Sequence, residues 1–307
     1  PLEIEMMTSQ GYEKEYATAV TVSSACIGPI IPPSLPLIMF GVVSGTSVGA
    51  LLMAGAVPGI VMGVALMIQV AYVAHKYNLP TSRAYPFKEM IRTFIPAISA
   101  MSIVIIVLGG IYTGFFTPTE AAGVACLVAF VLGKFVYKNL KWKDIPNILI
   151  KTASTLGTCS AIFAVASCFS YAITFENIPS KIAAALLSIS TNKYVLLLLV
   201  NVMLLVIGCF MEGLSAVMIV TPMLLPALIE VGVDPIQVGV IFAVNTTLGL
   251  LTPPFGLSLF MASSITDIPV LRIAKRVMPQ FAVLLICLLL FTFVPAFSTF
   301  LPHLMLG

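Results

Sequence analysis

Two short clusters of polar residues lie beside glycine and proline residues in otherwise apolar segments. The segments are Gly28-Pro-Ile-Ile-Pro-Pro33 and Gly249-Leu-Leu-Thr-Pro-Pro254. The polar neighbours are Ser23, Ser24 and Ser34 in the first cluster and Asn245, Thr246, Thr247 and Thr252 in the second. Neutral hydroxyl, amide and carbonyl oxygens suit a hard monovalent cation such as Na⁺, and free amides at helix N-termini suit a carboxylate. The simpler interpretation is that each hydroxyl only satisfies backbone groups that proline leaves free. The pairing of the clusters favours a binding site.

An internal repeat with an offset of 221 residues relates the two clusters. Six pairs match: Pro1/Pro222, Gly11/Gly232, Gly28/Gly249, Pro32/Pro253, Pro33/Pro254 and Pro58/Pro279. All are glycine or proline, so two apolar segments are interrupted in the same way. Lipid cannot satisfy the backbone groups of a broken helix, so such breaks persist where they line a polar site. Paired interruptions in two halves are typical of binding sites in membrane transporters.

The composition indicates an all-α polytopic membrane protein. The 307 residues are 60% hydrophobic and 9% charged, with a mean hydropathy of +1.11, whereas a soluble domain carries about 25% charged residues. A membrane-spanning helix needs about 20 apolar residues. Seven spans are predicted: 16–43, 48–74, 93–113, 118–137, 152–174, 235–264 and 279–301.

The apolar segment 192–231 is predicted to be a re-entrant hairpin, because Gly208, Gly213, Pro222 and Pro226 interrupt it. The basic stretches His75–Arg92, Lys134–Lys151 and Arg272–Arg276 are expected on the cytoplasmic side. If 192–231 returns to its own side, all three stretches do lie inside. The first repeat then starts on the cytoplasmic side, at Gly11 to Glu15, and the second starts on the outer side, at Gly232. The two repeats therefore have inverted orientations in the membrane.

Three parts of the chain are expected. Residues 1–74 would be the later part of the first repeat, with the end of a first hairpin, the broken helix 16–43 and the next span. Residues 75–190 would hold connecting and scaffold helices, and 191–307 the second repeat. The repeat partner of Gly208 would fall at 208−221 = −13, before Pro1. The first hairpin tip is thus missing, and we expect the chain to be part of a longer subunit.

Several other kinds of chemistry are not favoured. The six cysteines lie in apolar segments without metal-ligand spacing, and the chain has two histidines, so neither a transition-metal site nor a His-based triad is expected. No nucleotide-binding motif is present. The net charge of +3 follows from the basic loops and does not suggest nucleic acid. We do not expect an enzyme.

The acidic residues have different expected roles. Thr117-Pro-Thr-Glu120 has the form of a capping box, as has Asp234-Pro-Ile-Gln237, and both predict helix starts. Glu212 lies at the predicted hairpin tip, where it either faces water or takes part in gating or ion binding. Lys141-Trp142 opens a stretch that resembles an interfacial anchor.

Three motifs carry a resemblance to a known family. They are Ser23-Ser-Ala-Cys-Ile-Gly-Pro-Ile-Ile-Pro-Pro-Ser34, Gly109-Gly-Ile-Tyr-Thr-Gly-Phe-Phe-Thr-Pro-Thr-Glu-Ala-Ala122 and Asn245-Thr-Thr-Leu-Gly-Leu-Leu-Thr-Pro-Pro-Phe-Gly256. In this order they resemble the large membrane subunit of the tripartite ATP-independent periplasmic (TRAP) transporters. The resemblance implies that the family's N-terminal quarter or so would precede Pro1.

The resemblance implies an ion-transporter-superfamily fold with inverted repeats, re-entrant hairpins and a moving elevator domain in the bacterial inner membrane. It also implies a small (Q-type) membrane subunit and a periplasmic (P-type) binding protein as partners, beside membrane lipid. Substrates would be organic acids such as C4-dicarboxylates, keto acids or sialic acids, and Na⁺ would be the coupling ion.

The resemblance also assigns the sites residue by residue. One sodium site would use Gly208 with Gly249, Thr252 and Phe255; by repeat symmetry the other would use Gly28, Ile31 and Ser34. The substrate carboxylate is expected between the unwound loops, among Ser23, Ser24, Asn245, Thr246 and Thr247.

Other classes of membrane protein remain as alternatives. An ion channel would need a continuous pore, and its flux would not saturate. An intramembrane hydrolase would need an Asp pair or a Ser-His pair within the spans, and neither is evident. A non-transporting assembly subunit would explain the hydrophobicity but not the two breaks with polar neighbours.

Overall fold

A computed structural model describes residues 2–77, 79, 101–177, 181, 184–185, 188, 190, 192–211, 213–253 and 256–306. The helices of these residues are α1 (Leu2–Ser9), α2 (Lys14–Ala25), α3 (Leu35–Ser44), α4 (Val48–Lys76), α5 (Met101–Tyr112), α6 (Pro118–Val131), α7 (Ile145–Phe175), α8 (Lys193–Phe210), α9 (Gly213–Glu230), α10 (Pro235–Gly249), α11 (Leu257–Thr266), α12 (Val270–Phe293) and α13 (Ala296–Leu306). A π-helical turn, Leu132–Val136, extends α6, and a 3₁₀ turn, Trp142–Asp144, precedes α7.

The helical class predicted from composition is confirmed. In the described part of the chain, five helices are long and apolar enough to cross a membrane: Val48–Lys76, Pro118–Val136, Lys193–Phe210, Gly213–Glu230 and Val270–Phe293. The expected span 279–301 has different bounds, because α12 starts at Val270 and ends at Phe293. Pro279 lies inside that helix, and Arg272 and Arg276 belong to its first turns.

The chain forms two compact units, one of residues 1–81 with 168–307 and one of residues 82–167. The first unit holds both predicted repeats. Within it, α2, α3 and α4 correspond to α10, α11 and α12 at the offset of 221. Gly11 and Gly232 both have a positive φ, of 92° and 79°. The residues that follow α3 and α11, Gly45 and Asp267, are both left-handed.

The packing of the two repeats follows the same symmetry. Helix α2 packs against α11 and α12, and α10 packs against α3 and α4. Cys26 Sγ lies 3.7 Å from the carbonyl oxygen of Thr247, its own repeat equivalent. A residue that contacts its own equivalent lies beside the axis relating the repeats, so the ends of α2 and α10 meet at this axis.

Salt bridges join the start of α2 to the start of α12. Arg276 contacts Glu13 at 2.7 Å and Glu15 at 3.8 Å, and Arg272 contacts Glu15 at 3.4 Å. Lys14 Nζ donates to the last carbonyl of α11, that of Thr266, at 2.7 Å. The two segments that charge analysis predicts on the cytoplasmic side therefore lie together.

The segment 192–231 consists of two arms, α8 and α9, which pack against each other. The expectation that Gly208, Pro222 and Pro226 interrupt it is wrong, because all three lie inside the arms. Both arms pack against α10. Every residue of α10 from Gln237 to Gly249 is buried, which makes this broken helix the centre of the first unit.

Candidate binding site at the helix breaks

The hairpin and the second break meet at two glycines. A β-carbon added at Gly249 would lie 2.5 Å from both the Cα and the carbonyl carbon of Gly208, and 2.8 Å from its carbonyl oxygen. A β-carbon on Gly213, across the hairpin turn, would lie 3.3 Å from Thr246 Cβ. Backbone therefore packs directly on backbone between the hairpin and the end of α10. The structure brings together Gly208 and Gly249, the two glycines that the resemblance assigns to one sodium site.

The loop of the second break folds back on the end of α10. The amide of Thr252 donates to the Gly249 carbonyl, and the amide of Gly256 donates to the Thr252 carbonyl, both at 3.0 Å. The Thr252 hydroxyl donates to the Leu248 carbonyl at 3.0 Å. Since its proton is used there, the Thr252 oxygen can offer only lone pairs to a ligand. Such an oxygen suits a cation.

The two threonines before the break are buried and bonded to their own helix. The Thr246 hydroxyl donates to the Phe242 carbonyl at 2.9 Å, and the Thr247 hydroxyl donates to the Ala243 carbonyl at 2.6 Å. Their side chains are closed to solvent in this structure. The simpler interpretation, that hydroxyls satisfy helix carbonyls, therefore describes these two side chains.

Asn245 takes part in a buried hydrogen-bond network that the sequence analysis missed. Its Nδ2 donates to Asn201 Oδ1 at 2.6 Å, and Asn201 Nδ2 donates to Thr292 Oγ1 at 2.8 Å. Gln237 Nε2 donates to the carbonyl oxygens of Phe291 and Thr292 at 3.1 and 2.9 Å. The network ties α8, α10 and α12 together. Asn245 Oδ1 is buried without a hydrogen-bond partner.

A signal for this network was available in the sequence. Asn201 interrupts a run of leucines and valines, and an amide in such a span needs a buried partner. The motif Asp234-Pro-Ile-Gln237 predicts that Gln237 is the last residue of a capping box. That expectation is wrong for Gln237, whose side chain reaches α12, but right for Asp234, whose Oδ1 accepts from the Ile236 amide at 2.7 Å.

The first break is held by a serine cap. Ser34 is buried at the start of α3, where its Oγ accepts from the Leu37 amide at 3.3 Å and donates to the carbonyl oxygen of Pro29. Gly28 and Ile31 are exposed. The Ser34 hydroxyl thus joins Pro29, in the break, to the first turn of α3, while Gly28 and Ile31 are accessible to solvent.

Two glycines of α4 lie directly against the first break. A β-carbon on Gly55 would lie 2.6 Å from the Ile30 carbonyl oxygen, and one on Gly59 would meet the side chain of Ile31. These glycines lie one helical turn apart, so they form one strip along α4. The Ile30 carbonyl and the Ile31 side chain fit against α4 because this strip has no side chains.

The serines at the end of α2 differ in exposure. Ser24 is exposed, and its hydroxyl donates to the Thr21 carbonyl at 3.0 Å. Ser23 is 1% exposed, and its Oγ has no hydrogen-bond partner. A buried hydroxyl without a partner is uncommon. Ser23 therefore retains hydrogen-bonding capacity beside the axis where Cys26 meets Thr247.

A comparison with protein families decides the class of this chain. The model of the DctM component of the tripartite ATP-independent periplasmic transporters matches residues 1–297. The chain belongs to this family. It is a multi-pass membrane protein and a transporter permease, not an enzyme.

Three relatives within the DctM family are similar in sequence to this chain over nearly its whole length. The sialic acid TRAP transporter large permease SiaM of Vibrio cholerae is 38% identical over 306 residues, which are 100% of this chain and 72% of SiaM. The isethionate permease DctMQ of Oleidesulfovibrio alaskensis is 38% identical, and the match covers 97% of this chain and 47% of DctMQ. The C4-dicarboxylate permease DctM of Pseudomonas aeruginosa is 34% identical, and the match covers 98% of this chain and 71% of that DctM.

Two residues expected in this DctM-family site, Glu212 and Phe255, lie outside the described residues.

Glu120 belongs to the first turn of α6, as its capping box predicts. Its carboxylate accepts from the Thr117 amide at 2.8 Å, and its own amide donates to the Thr117 hydroxyl at 3.3 Å. In the described part of the chain, no three His, Cys, Asp or Glu side chains group as a metal site would require.

Proposed function

We propose that this chain is the transporting subunit of a sodium-coupled secondary transporter that imports an organic acid across the bacterial inner membrane. The observation that carries the proposal is the contact of Gly208 with Gly249. The Gly208 carbonyl oxygen would lie 2.8 Å from a β-carbon at Gly249, and this close approach of the two backbones supports a site where carbonyl oxygens of both elements hold one ion.

The chemistry of the breaks supports sodium as the coupling ion. The candidate ligands at the second break are carbonyl oxygens and the Thr252 hydroxyl, which are neutral and hard. We propose a sodium site among Gly208, Gly249, Thr252 and Phe255, and a second one among Gly28, Ile31 and Ser34. Each positive charge moved inward gains about 2.3 kcal/mol per 100 mV. The number of Na⁺ must exceed the substrate's negative charge for the membrane potential to assist import.

The substrate class is proposed from chemistry and from relatives. SiaM, DctMQ and DctM are named for sialic acid, isethionate and C4-dicarboxylates, which are all organic anions. We place the anion between the two breaks, with Ser23 and Ser24 on one side and Asn245, Thr246 and Thr247 on the other. Since all of these except Ser24 are closed to solvent, binding requires the breaks to separate.

Partners and motion complete the proposal. A small membrane subunit would hold a static scaffold, and a periplasmic binding protein would deliver the substrate. The first unit, with both repeats and the hairpin, would move as an elevator. A second candidate function, an ion channel, lacks a supporting observation in the described residues.

The test is substrate uptake into proteoliposomes. They would contain the large and small subunits, with candidate binding proteins outside and an inward sodium gradient. We expect saturable accumulation that requires both sodium and the binding protein. Flux that is independent of sodium and does not saturate would overturn the coupled-transport proposal and favour a channel.

A pair of matched variants locates the site. Thr252→Ala removes a hydroxyl that donates to the carbonyl four residues earlier, and Thr152→Ala removes the same kind of bond, to Ile148, in α7. We expect Thr252→Ala to raise the sodium concentration for half-maximal uptake, and Thr152→Ala to leave it unchanged. Equal effects would argue against a sodium ligand at Thr252.

A further inference from the structure

Positive charge is concentrated in one short segment of the second unit. Residues 132–151 contain Lys134, Lys138, Lys141, Lys143 and Lys151, with Asp144 as the sole acidic residue, for a net charge of 5−1 = +4. The whole chain carries 15−12 = +3. The other 287 residues therefore have a net charge of −1, so this segment alone accounts for the positive charge of the protein.

The backbone folds this segment across the end of α6. The π-helical turn Leu132–Val136 is followed by Lys138 in the left-handed region, with a φ of 54°. The amides of Asn139 and Leu140 then donate to the Gly133 carbonyl at 3.1 and 3.2 Å. The chain thus turns back on itself at the end of a membrane helix instead of extending away from it.

Aromatic contacts hold the segment around Trp142 against α6. The Trp142 ring packs on Phe130 of α6, with ring centroids 6.0 Å apart, and Lys134 Nζ lies 4.7 Å from the centre of the Trp142 ring. Trp142 remains 66% exposed. An exposed tryptophan at the end of an apolar helix is typical of the headgroup level of a bilayer.

The one acidic residue of the segment caps a helical turn. Asp144 Oδ2 accepts from the backbone amide of Lys141 at 2.9 Å, which starts the 3₁₀ turn. Lys138, Lys141 and Lys143 are exposed around the helix end. We call these three lysines and Lys134, which lie within ten residues of one another at the end of α6, the lysine collar.

We propose that the lysine collar is a binding site for the headgroups of anionic phospholipids such as phosphatidylglycerol. Its charge complements a phosphate, and Trp142 places it at headgroup depth. Each lysine near an anionic bilayer surface adds about 1 kcal/mol to the attraction between the basic segment and the membrane. The site retains anionic lipid beside the second unit and anchors that unit in the membrane.

The single tryptophan of the chain provides the assay. The full chain is reconstituted with phosphatidylglycerol or phosphatidylethanolamine whose acyl chains carry bromine near the headgroup. Bromine quenches the fluorescence of adjacent Trp142. We expect the lipid binding constant at Trp142 to favour phosphatidylglycerol by at least about tenfold, and this preference to fall towards one as salt is raised.

Two charge-matched variants distinguish a local site from general attraction. The first changes Lys134, Lys138, Lys141 and Lys143 to Gln, and the second changes Lys76, Lys181, Lys193 and Lys275 to Gln. The preference for phosphatidylglycerol should disappear in the first variant and persist in the second. Loss in both, or equal quenching by the two lipids in the wild type, would overturn the proposal.

A soluble competitor distinguishes lipid from free phosphate. Inorganic phosphate is added at the same ionic strength as chloride, and we expect both salts to reduce the preference equally. A larger effect of phosphate would show that the collar binds the free anion, and it would contradict the lipid assignment. Unchanged thermal melting of the first variant would show that its loss of preference does not arise from unfolding.

Discussion

Gly249→Ala is the sharpest perturbation of the proposed site. The added β-carbon would lie 2.5 Å from Cα and the carbonyl carbon of Gly208, whereas ordinary contacts begin at 3.4 Å. The two backbones must therefore separate by about 0.9 Å, the difference between these distances. No side chain can rotate away, because the obstructing atoms are backbone.

The expected effect follows from that displacement. Overpacking of a buried contact costs roughly 1–3 kcal/mol, and each 1.4 kcal/mol is a factor of ten in an equilibrium constant. If one ion is held by carbonyl groups of both elements, sodium affinity should fall about five- to a hundredfold. Gly208→Ala should have a weaker effect, since its β-carbon would lie 3.1 Å from the nearest atom, Gly249 Cα.

The assay is sodium-dependent uptake, with Gly123→Ala as control. A β-carbon on Gly123, in α6 of the second unit, would meet nothing within 4 Å. We expect the sodium concentration for half-maximal uptake to increase in the order Gly123→Ala, Gly208→Ala, Gly249→Ala. A Gly249→Ala protein with wild-type sodium dependence would refute the placement of the ion between the hairpin and the break.

Three further predictions concern the first break, the buried network and the topology. Gly55→Ala should raise the sodium requirement for uptake more than Gly59→Ala, because the first obstructs a backbone carbonyl and the second a side chain that can rotate. Asn201→Ala should lower the free energy of unfolding by about 1–3 kcal/mol, because it removes two buried hydrogen bonds, those with Asn245 and Thr292, each worth about 0.5–1.5 kcal/mol; thermal melting in detergent measures this. The variants Glu13→Cys and Arg276→Cys should react with an impermeant maleimide from the same, cytoplasmic side, because Glu13 and Arg276 form a salt bridge.

Each of these predictions has a result that contradicts it. Equal effects of the two glycine changes would show that the position of the break backbone does not matter for sodium. An Asn201→Ala protein with wild-type melting would mean that the network adds no net stability. Labelling of the two cysteines from opposite sides would contradict the contact between the starts of α2 and α12.

The sequence was sufficient to locate the breaks, because glycine and proline act through the local backbone. Pro32 and Pro253 cannot donate to a helix carbonyl, and the offset of 221 residues identifies the same interruption twice. The cap at Thr117 was predictable for the same reason, since its two hydrogen bonds join residues three apart. Features of this kind depend on neighbours in the chain.

Other features depend on residues that are distant in the chain, and the sequence misled there. Pro222 and Pro226 predict breaks, yet they lie within α9, which packs against α3 and α10. Gln237 has the spacing of a capping residue, but its amide reaches carbonyls more than fifty residues away. Local pattern could not identify a partner on α12.

The two kinds of contact between α8 and α10 suggest why glycines occupy the end of the hairpin. Asn201 and Gly208 lie two helical turns apart on the same face of α8, and both contact α10. The contact at Asn201 is a buried hydrogen bond of 2.6 Å between two side-chain amides, and separating α8 from α10 there would break it. The contact at Gly208 is backbone packing against Gly249, and separating it costs only dispersion energy. The network therefore holds the body of the hairpin on α10 by hydrogen bonds, whereas the glycines at its end meet α10 by backbone packing. We expect the end of the hairpin to separate from α10 more readily than its body.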